Sequence, residues 1–325
     1  MIEKYFHQRS IQIFTAVWFI LAFLFQISFL SPQIFAKENT VVVIQSQQIA
    51  AYSEAIKGFE KGCKGKNISI KAIYNLNGDT DEGKRIIQNI KDNKLKPDLL
   101  LAVGVLAATL VKEQFTDVPI IFCMVINHKR FNLQGANITG ISSEVSVEDQ
   151  FAILKELLGA RKNVGVIYDP MKTEKIISEA DVVAKRLEFN LIKTKITSEN
   201  EVASALKNMI DKIDALWMIP DSTVITKNSL NVISKTILEH RLPTFCTSDA
   251  IVKAGAALIS VSPDYTHTGL QAARMAQTLM NNPSTISLGI TQPDKLKLTL
   301  NTQTAEIIGV NLASFQSHPD VVLYP

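Results

Sequence analysis

Asp169, Asp221, Asp249 and Asp264 each close a short, largely apolar run: NVGVIY, ALWMIP, LPTFCTS and ALISVSP. A carboxylate at the end of such a run can cap a following helix or meet a cationic amine, and a cap at a cleft edge stays within reach of a ligand. Other polar or small residues hold equivalent places. They are Gln45, Ser46 and Gln47; Gly104 and Val105; Val125 and Asn127; Tyr168; Ser222 and Thr223; and Ser248. Where a helix starts just after such residues, its free N–H groups suit a carboxylate or another anion. Tyr52, Tyr168 and Tyr265 have the apolar body and polar tip that enclose small solutes. The chemistry these residues offer is reversible capture of a small organic molecule.

Bond-making chemistry has no comparable support. The sequence lacks a G-x-x-x-x-G-K-[ST] phosphate loop, a G-x-S-x-G elbow and an H-E-x-x-H helix. GVIYDP and AVGVLAA lack the glycines of a dinucleotide turn. His7, His128, His240, His267 and His318 are dispersed, whereas a metal site needs clustered ligands. Cys63, Cys123 and Cys246 are odd in number and show no C-x-x-C spacing; Cys123 and Cys246 read as small buried hydrophobes. Trp217, inside ALWMIP, reads as core. The expectation is a binding protein, not an enzyme, with no metal and no cofactor. A net charge of +3 without a Lys/Arg stripe excludes nucleic acid as the expected partner.

The elements that position these residues alternate regularly. VVVIQS, ISIKAIYN, PDLLLAVG and VPIIFCMV read as strands, and helical stretches separate them. The order then restarts with NVGVIYDP, LIKTKITS, DALWMIPD and LPTFCTSD. Val41 and Val164, which open the two sets, are 123 positions apart, and Pro119 and Pro243, which lead the fourth strands, are 124 apart. One α/β unit has been used twice. The expected fold class is α/β: two doubly wound parallel-sheet lobes joined by a three-crossover hinge. Such sheets bind ligands at the carboxyl ends of their strands. Residues 37–145 with 284–325 are expected to form lobe I and residues 146–283 lobe II. KLKLTLN is thereby placed in the first lobe, because a strand and a short helix cannot form a core of their own.

Ahead of the repeats, MIEKYFHQRS carries Lys4 and Arg9, an apolar stretch follows, and Ala36 closes a short polar exit. That order describes a signal peptide over residues 1–36 and a periplasmic or extracytoplasmic location for the remainder. The stretch 11–30 is also long enough to anchor the chain in a bilayer.

PDLLLAVG, PIIFCMVIN, NITGIS, VGVIYDP, DALWMIPDSTV and SDAIVKAGAALISVSPDYTHTGLQAA, in this order, resemble the type I periplasmic binding proteins of ABC transporters, in particular the tryptophan/tyrosine-like substrate-binding group. The resemblance implies capture of a small solute, such as an amino acid, between two lobes. It also implies delivery to an ABC permease in the membrane by a monomeric receptor. A ligand-sensing module feeding a signalling partner is the alternative the fold allows. The family's pocket segments fall here on residues 45–48, 104–106, 125–127, 169, 221–223, 248–249 and 264. Where members with aromatic amino-acid ligands often carry Thr or Ser after the glycine of the third strand, this chain has Val105 and Leu106.

Overall fold

The computed structural model describes residues 38–92, 96–316, 318 and 320–325. The expected export segment, residues 1–36, lies outside them. Among the described residues no helix is long and apolar enough to cross a membrane.

The first sheet is built from runs that are buried on both faces and therefore read as continuous aliphatic strings. Its strands are β1 (Asn39–Gln45), β2 (Ile68–Asn75), β3 (Leu99–Val103), β4 (Ile120–Val125), β5 (Ile138–Ser142) and β11 (Ile290–Thr291). They lie in the order β2-β1-β3-β4-β5-β11, all parallel. Helices α2 (Thr80–Asp92) and α3 (Val105–Gln114) cover one face through Ile87, Ile90, Ala107 and Leu110. The other face packs on α1 (Ala50–Cys63) and on α9 (Tyr265–Asn281).

The second sheet repeats this winding. It comprises β6 (Asn163–Tyr168), β7 (Asn190–Lys195), β8 (Ala215–Met218), β9 (Thr244–Cys246), β10 (Ile259–Pro263), β12 (Leu296–Asn301) and β13 (Val321–Tyr324). Its order is β7-β6-β8-β9-β10-β12-β13, parallel except where β12 runs against β10. On one face lie α4 (Val147–Leu158), α5 (Pro170–Arg186) and α10 (Thr302–Ile308). On the other lie α6 (Val202–Met209), α7 (Lys227–Glu239) and α8 (Asp249–Lys253). Each fully buried Val, Leu, Ile or Phe in these layers contributes about 1.5–3 kcal/mol relative to exposure.

The chain passes between the lobes three times: at residues 143–146, at Asp264 and at residues 292–295. Two expectations about which lobe holds which element are corrected. KLKLTLN, expected in the first lobe, pairs with β10 in the second sheet, and Leu298 and Leu300 enter that lobe's core. From the tail 284–325, β11 alone supplies a strand to the first sheet. The reason is that β10 would otherwise leave an open edge, which the alternating strand completes. Conversely α9, expected in lobe II, packs in lobe I. A Cβ on Gly58 would lie 2.0 Å from the Thr266 carbonyl oxygen, and one on Gly269 would lie 1.9 Å from that of Ala55. Glycine at these two positions lets α1 and α9 approach too closely for any other residue.

The second and third crossings are tied to each other. The Asp264 N–H donates to the Lys295 carbonyl at 3.0 Å. Gln271 Nε2 donates to the Gln292 carbonyl at 2.9 Å, and its Oε1 accepts from the Asp294 N–H at 3.1 Å.

Candidate functional site

In both sheets the strand order reverses between the first and third strands of the unit, β1/β3 in lobe I and β6/β8 in lobe II. Most of the residues singled out in the sequence stand at or beside these switch points, where open α/β sheets bind ligands.

In lobe I, Gln45 ends β1 and is 8% exposed, and its Oε1 has no hydrogen-bond partner. The Ser46 hydroxyl accepts the Ala107 N–H at 2.9 Å. Gln47 is exposed. Gly104, at φ +89°, starts α3 without a side-chain cap, and Val105 follows as the first helical residue. A Cβ on Gly104 would sit 2.5 Å from the Tyr52 hydroxyl and 2.6 Å from Ser46 Oγ. Tyr52 therefore reaches over the head of α3, and burial, then Cys123, push its hydroxyl above the usual range. Ile49 precedes α1, again with no side-chain cap. Two helices thus open at one switch point with no bond from an N-cap side chain, and at α3 the Ser46 hydroxyl meets the third N–H, that of Ala107. Val125 is buried in the core between sheet and helices. Asn127 has left-handed backbone (φ 54°), and its N–H donates to Glu144 Oε1 at 2.5 Å. His128 is buried with Nδ1 unpartnered, and burial holds its ring below the usual imidazole range.

Lobe II differs: its acids are engaged within the protein. Asp169 caps α5 through the Met171 N–H (2.9 Å), and its other oxygen accepts from Thr223 Oγ1 (2.7 Å). The Thr223 bond, with help from the Met171 N–H, outweighs burial and holds this carboxyl below the usual range. Asp221, 1% exposed, accepts from the Asp169 N–H (2.8 Å), Thr173 Oγ1 (2.6 Å) and the N–H groups of Thr223 (2.9 Å) and Val224 (3.4 Å). It knits the β6–α5 and β8–α7 loops together. Ser222 is exposed and accepts from Lys172 at 2.9 Å. Asp264 caps α9 through the His267 N–H at 2.9 Å. Ser248 stands at the head of α8 without a side-chain cap bond. Asp249 pairs with Lys253 (3.1 Å) and Lys297 (3.3 Å). Burial alone would raise its carboxyl, but the two lysines hold it below the usual range. Lys297 also lies 4.6 Å from the centre of the Tyr265 ring. Burial, then Asp249 and Glu54, push the Tyr265 hydroxyl up.

Tyr168 is not at the cleft. It is 1% exposed within the lobe II core. Trp217 is fully buried against Phe151 and donates to Gln150 Oε1 at 2.9 Å. The three cysteines are buried thiols, with Cys123 and Cys246 pushed up to about 12 and Cys63 to about 11 by burial. Among the described residues no group of His, Cys, Asp and Glu could hold a metal ion.

Sequence reasoning placed Tyr52 among three candidate tyrosines without assigning it to the site, and it missed Lys297 and Glu144. Lys297 alternates with leucines in LKLTLN and so looks like the solvent side of a strand; the signal that it is inside is Asp249 on a different element.

Two doubly wound lobes joined by three crossings define the type I periplasmic binding protein fold. Residues 40–315 match the profile of the ABC transporter substrate binding protein family, and the chain belongs to it. It is 24% identical over 292 residues to the tyrosine-binding protein of Clostridioides difficile (strain R20291), covering 86% of this chain and 83% of that one. It superposes on a substrate-binding protein with adhesive properties from Clostridium difficile, in a ligand-free, open structure, with TM-score 0.77 and 22% identity, covering 88% and 99% of the two chains. The ABC domain in complex with L-Trp from Streptococcus pneumonia matches with TM-score 0.64 and 19% identity, covering 88% and 100%.

Proposed function

We propose that this protein is an extracytoplasmic receptor that captures an amino acid, or a small solute carrying a carboxylate and an amine, between its lobes and hands it to an ABC permease. The observation that carries the reading is the polarity of the lobe I switch point. There α1 begins without a side-chain cap, α3 begins at a glycine with its third N–H on the Ser46 hydroxyl, and Gln45 Oε1 is buried and unpartnered. Uncapped N–H groups favour an anion, and a ligand carboxylate would satisfy them. The carbonyl oxygen of Gln45 would accept from the ligand's amine. Val105 and Leu106 supply no hydroxyl here, so backbone N–H groups and Ser46 take that part. A family relative named for tyrosine and a related structure holding L-Trp support an amino-acid ligand. Closure over the ligand is driven by its differential affinity for the closed state.

In this reading residues 1–36 direct export and are removed, or residues 11–30 remain as an anchor, and the mature receptor works as a monomer. The test is titration calorimetry with tyrosine, tryptophan and a panel of other amino acids against the wild type and Ser46→Ala. Saturable binding that Ser46→Ala weakens supports the reading. Silence across the panel, with the protein folded, removes the amino-acid assignment.

A further inference from the structure

Lys297 is the least exposed lysine in the described ion pairs, at 15% of its side chain, against 45% for Lys253, which shares the same carboxylate. It stands on β12 just past the third crossing, and Tyr265 opens α9 just past the second. β12 and α8 belong to the lobe II sheet and its cover. Helix α9 belongs to lobe I, and the glycine contacts with α1 fix it there. The 4.6 Å contact between the Lys297 ammonium and the Tyr265 ring therefore joins the two lobes at the hinge itself. The 3.3 Å contact with Asp249 holds the same ammonium to lobe II.

We propose that Lys297 is a positioning residue for ligand capture: held by Asp249, it presents its charge to the Tyr265 ring and so sets the angle between the lobes in the ligand-free protein. A rotation about the crossings must lengthen or reorient the contact with Tyr265, because the ring moves with α1 and the ammonium moves with β12. The interaction of a cation with a ring face depends on both distance and direction, and it gains strength where the cation is desolvated. The Asp249 carboxylate, whose Oδ2 is shared with Lys253, holds the Lys297 ammonium from the lobe II side and keeps it aimed at the ring. Lys253, more exposed and on the same short helix as Asp249, cannot bridge to lobe I.

The three native cysteines are buried with raised thiols, so spin labels attach selectively at Lys84→Cys in lobe I and Lys185→Cys in lobe II, both exposed positions. Pulsed electron–electron distance measurement on ligand-free protein reads the lobe angle directly. The proposal expects a narrow distribution for the parent and a broadened or displaced one for Lys297→Met and for Tyr265→Leu. It expects the narrow distribution to be retained in Lys297→Arg and Tyr265→Phe, which keep the cation and the ring. Should Lys297→Met fail to fold because Asp249 has lost one of its two lysines, the double variant Asp249→Asn/Lys297→Met removes the carboxylate's charge as well and gives the same readout. A parent-like distribution in a folded variant without Lys297 overturns the proposal. No ligand is present in this measurement, so its result stands apart from the identity of the solute.

Discussion

Replacing Asp221 with alanine separates a structural carboxylate from a ligand-binding one. The side chain is 1% exposed, and both its oxygens are taken by protein donors: the N–H groups of Asp169, Thr223 and Val224 and the hydroxyl of Thr173. Hydrogen bonds to a charged group contribute about 1.5–3 kcal/mol each. The three shorter ones would total about 4.5–9 kcal/mol if independent, but they belong to one network and do not add. Leaving those buried donors unsatisfied costs about 1–3 kcal/mol each, and with partial relaxation the expected loss for Asp221→Ala is about 3–5 kcal/mol. At about 2–4 °C per kcal/mol, the unfolding midpoint should fall by about 6–20 °C. Asp221→Asn should fall less, because one amide oxygen still serves the donors on one side while its NH2 group opposes those on the other. Thermal unfolding by calorimetry, run beside ligand titration, gives both quantities. An Asp221→Ala protein that unfolds at the parental temperature yet has lost its ligand would refute the reasoning and turn this carboxylate toward the cleft.

Three further outcomes follow from other parts of the molecule. Asp169 and Asp249 both have carboxyls held below their ordinary values. Their stabilisation is therefore complete above the unfolded value of about 3.9 and is lost as pH falls through the folded values. Acid titration of the unfolding midpoint should show lobe II losing stability below about pH 4, with a shallower slope in Asp169→Asn; identical slopes would contradict this. Gly269→Ala forces a Cβ to within 1.9 Å of the Ala55 carbonyl oxygen and should destabilise by about 3 kcal/mol or more, read by urea unfolding. Trp217, fully buried and hydrogen-bonded to Gln150, should emit at short wavelength in the export-processed chain and shift red on unfolding; a solvent-like spectrum in the folded protein would show the core to be open.

The repeated winding was legible because its strands are buried on both faces and so appear as aliphatic strings at one spacing. The 124-residue interval between Pro119 and Pro243 corresponds to β4 and β9 at equivalent places in the two sheets. The membership of α9 was not read, since chain order alone favoured lobe II. Its signal lay in small residues four apart on two helices: Gly58 and Gly62 on α1, which meet Thr266 and Ala273, and Gly269 on α9, which meets Ala55. KLKLTLN was recognised as a strand but given to the wrong lobe, because alternation says that one face is buried and not against which sheet. At the site, the strand-end rule brought Gln45, Ser46, Gly104, Asp169, Asp221 and Thr223 to the switch points. It could not tell that lobe II's acids spend their oxygens on their own loops. That depends on Thr173 and Thr223 reaching across between loops about fifty positions apart. Tyr168 was misread for a related reason: it is the last residue of its strand, and its side chain falls on the inward face.

The proposed function stands or falls on whether a small solute binds between the lobes with its carboxylate on the lobe I switch point. A crystal structure of the protein purified from its own host, together with native mass spectrometry of the same preparation, tests it most directly. The expected result is one bound small molecule per chain, its carboxylate within hydrogen-bond distance of Ser46 Oγ and the first N–H groups of α3, and its amine on Gln45 Oε1. A solute seated elsewhere, or one bound in the cleft with no group on the lobe I helix ends, would contradict it.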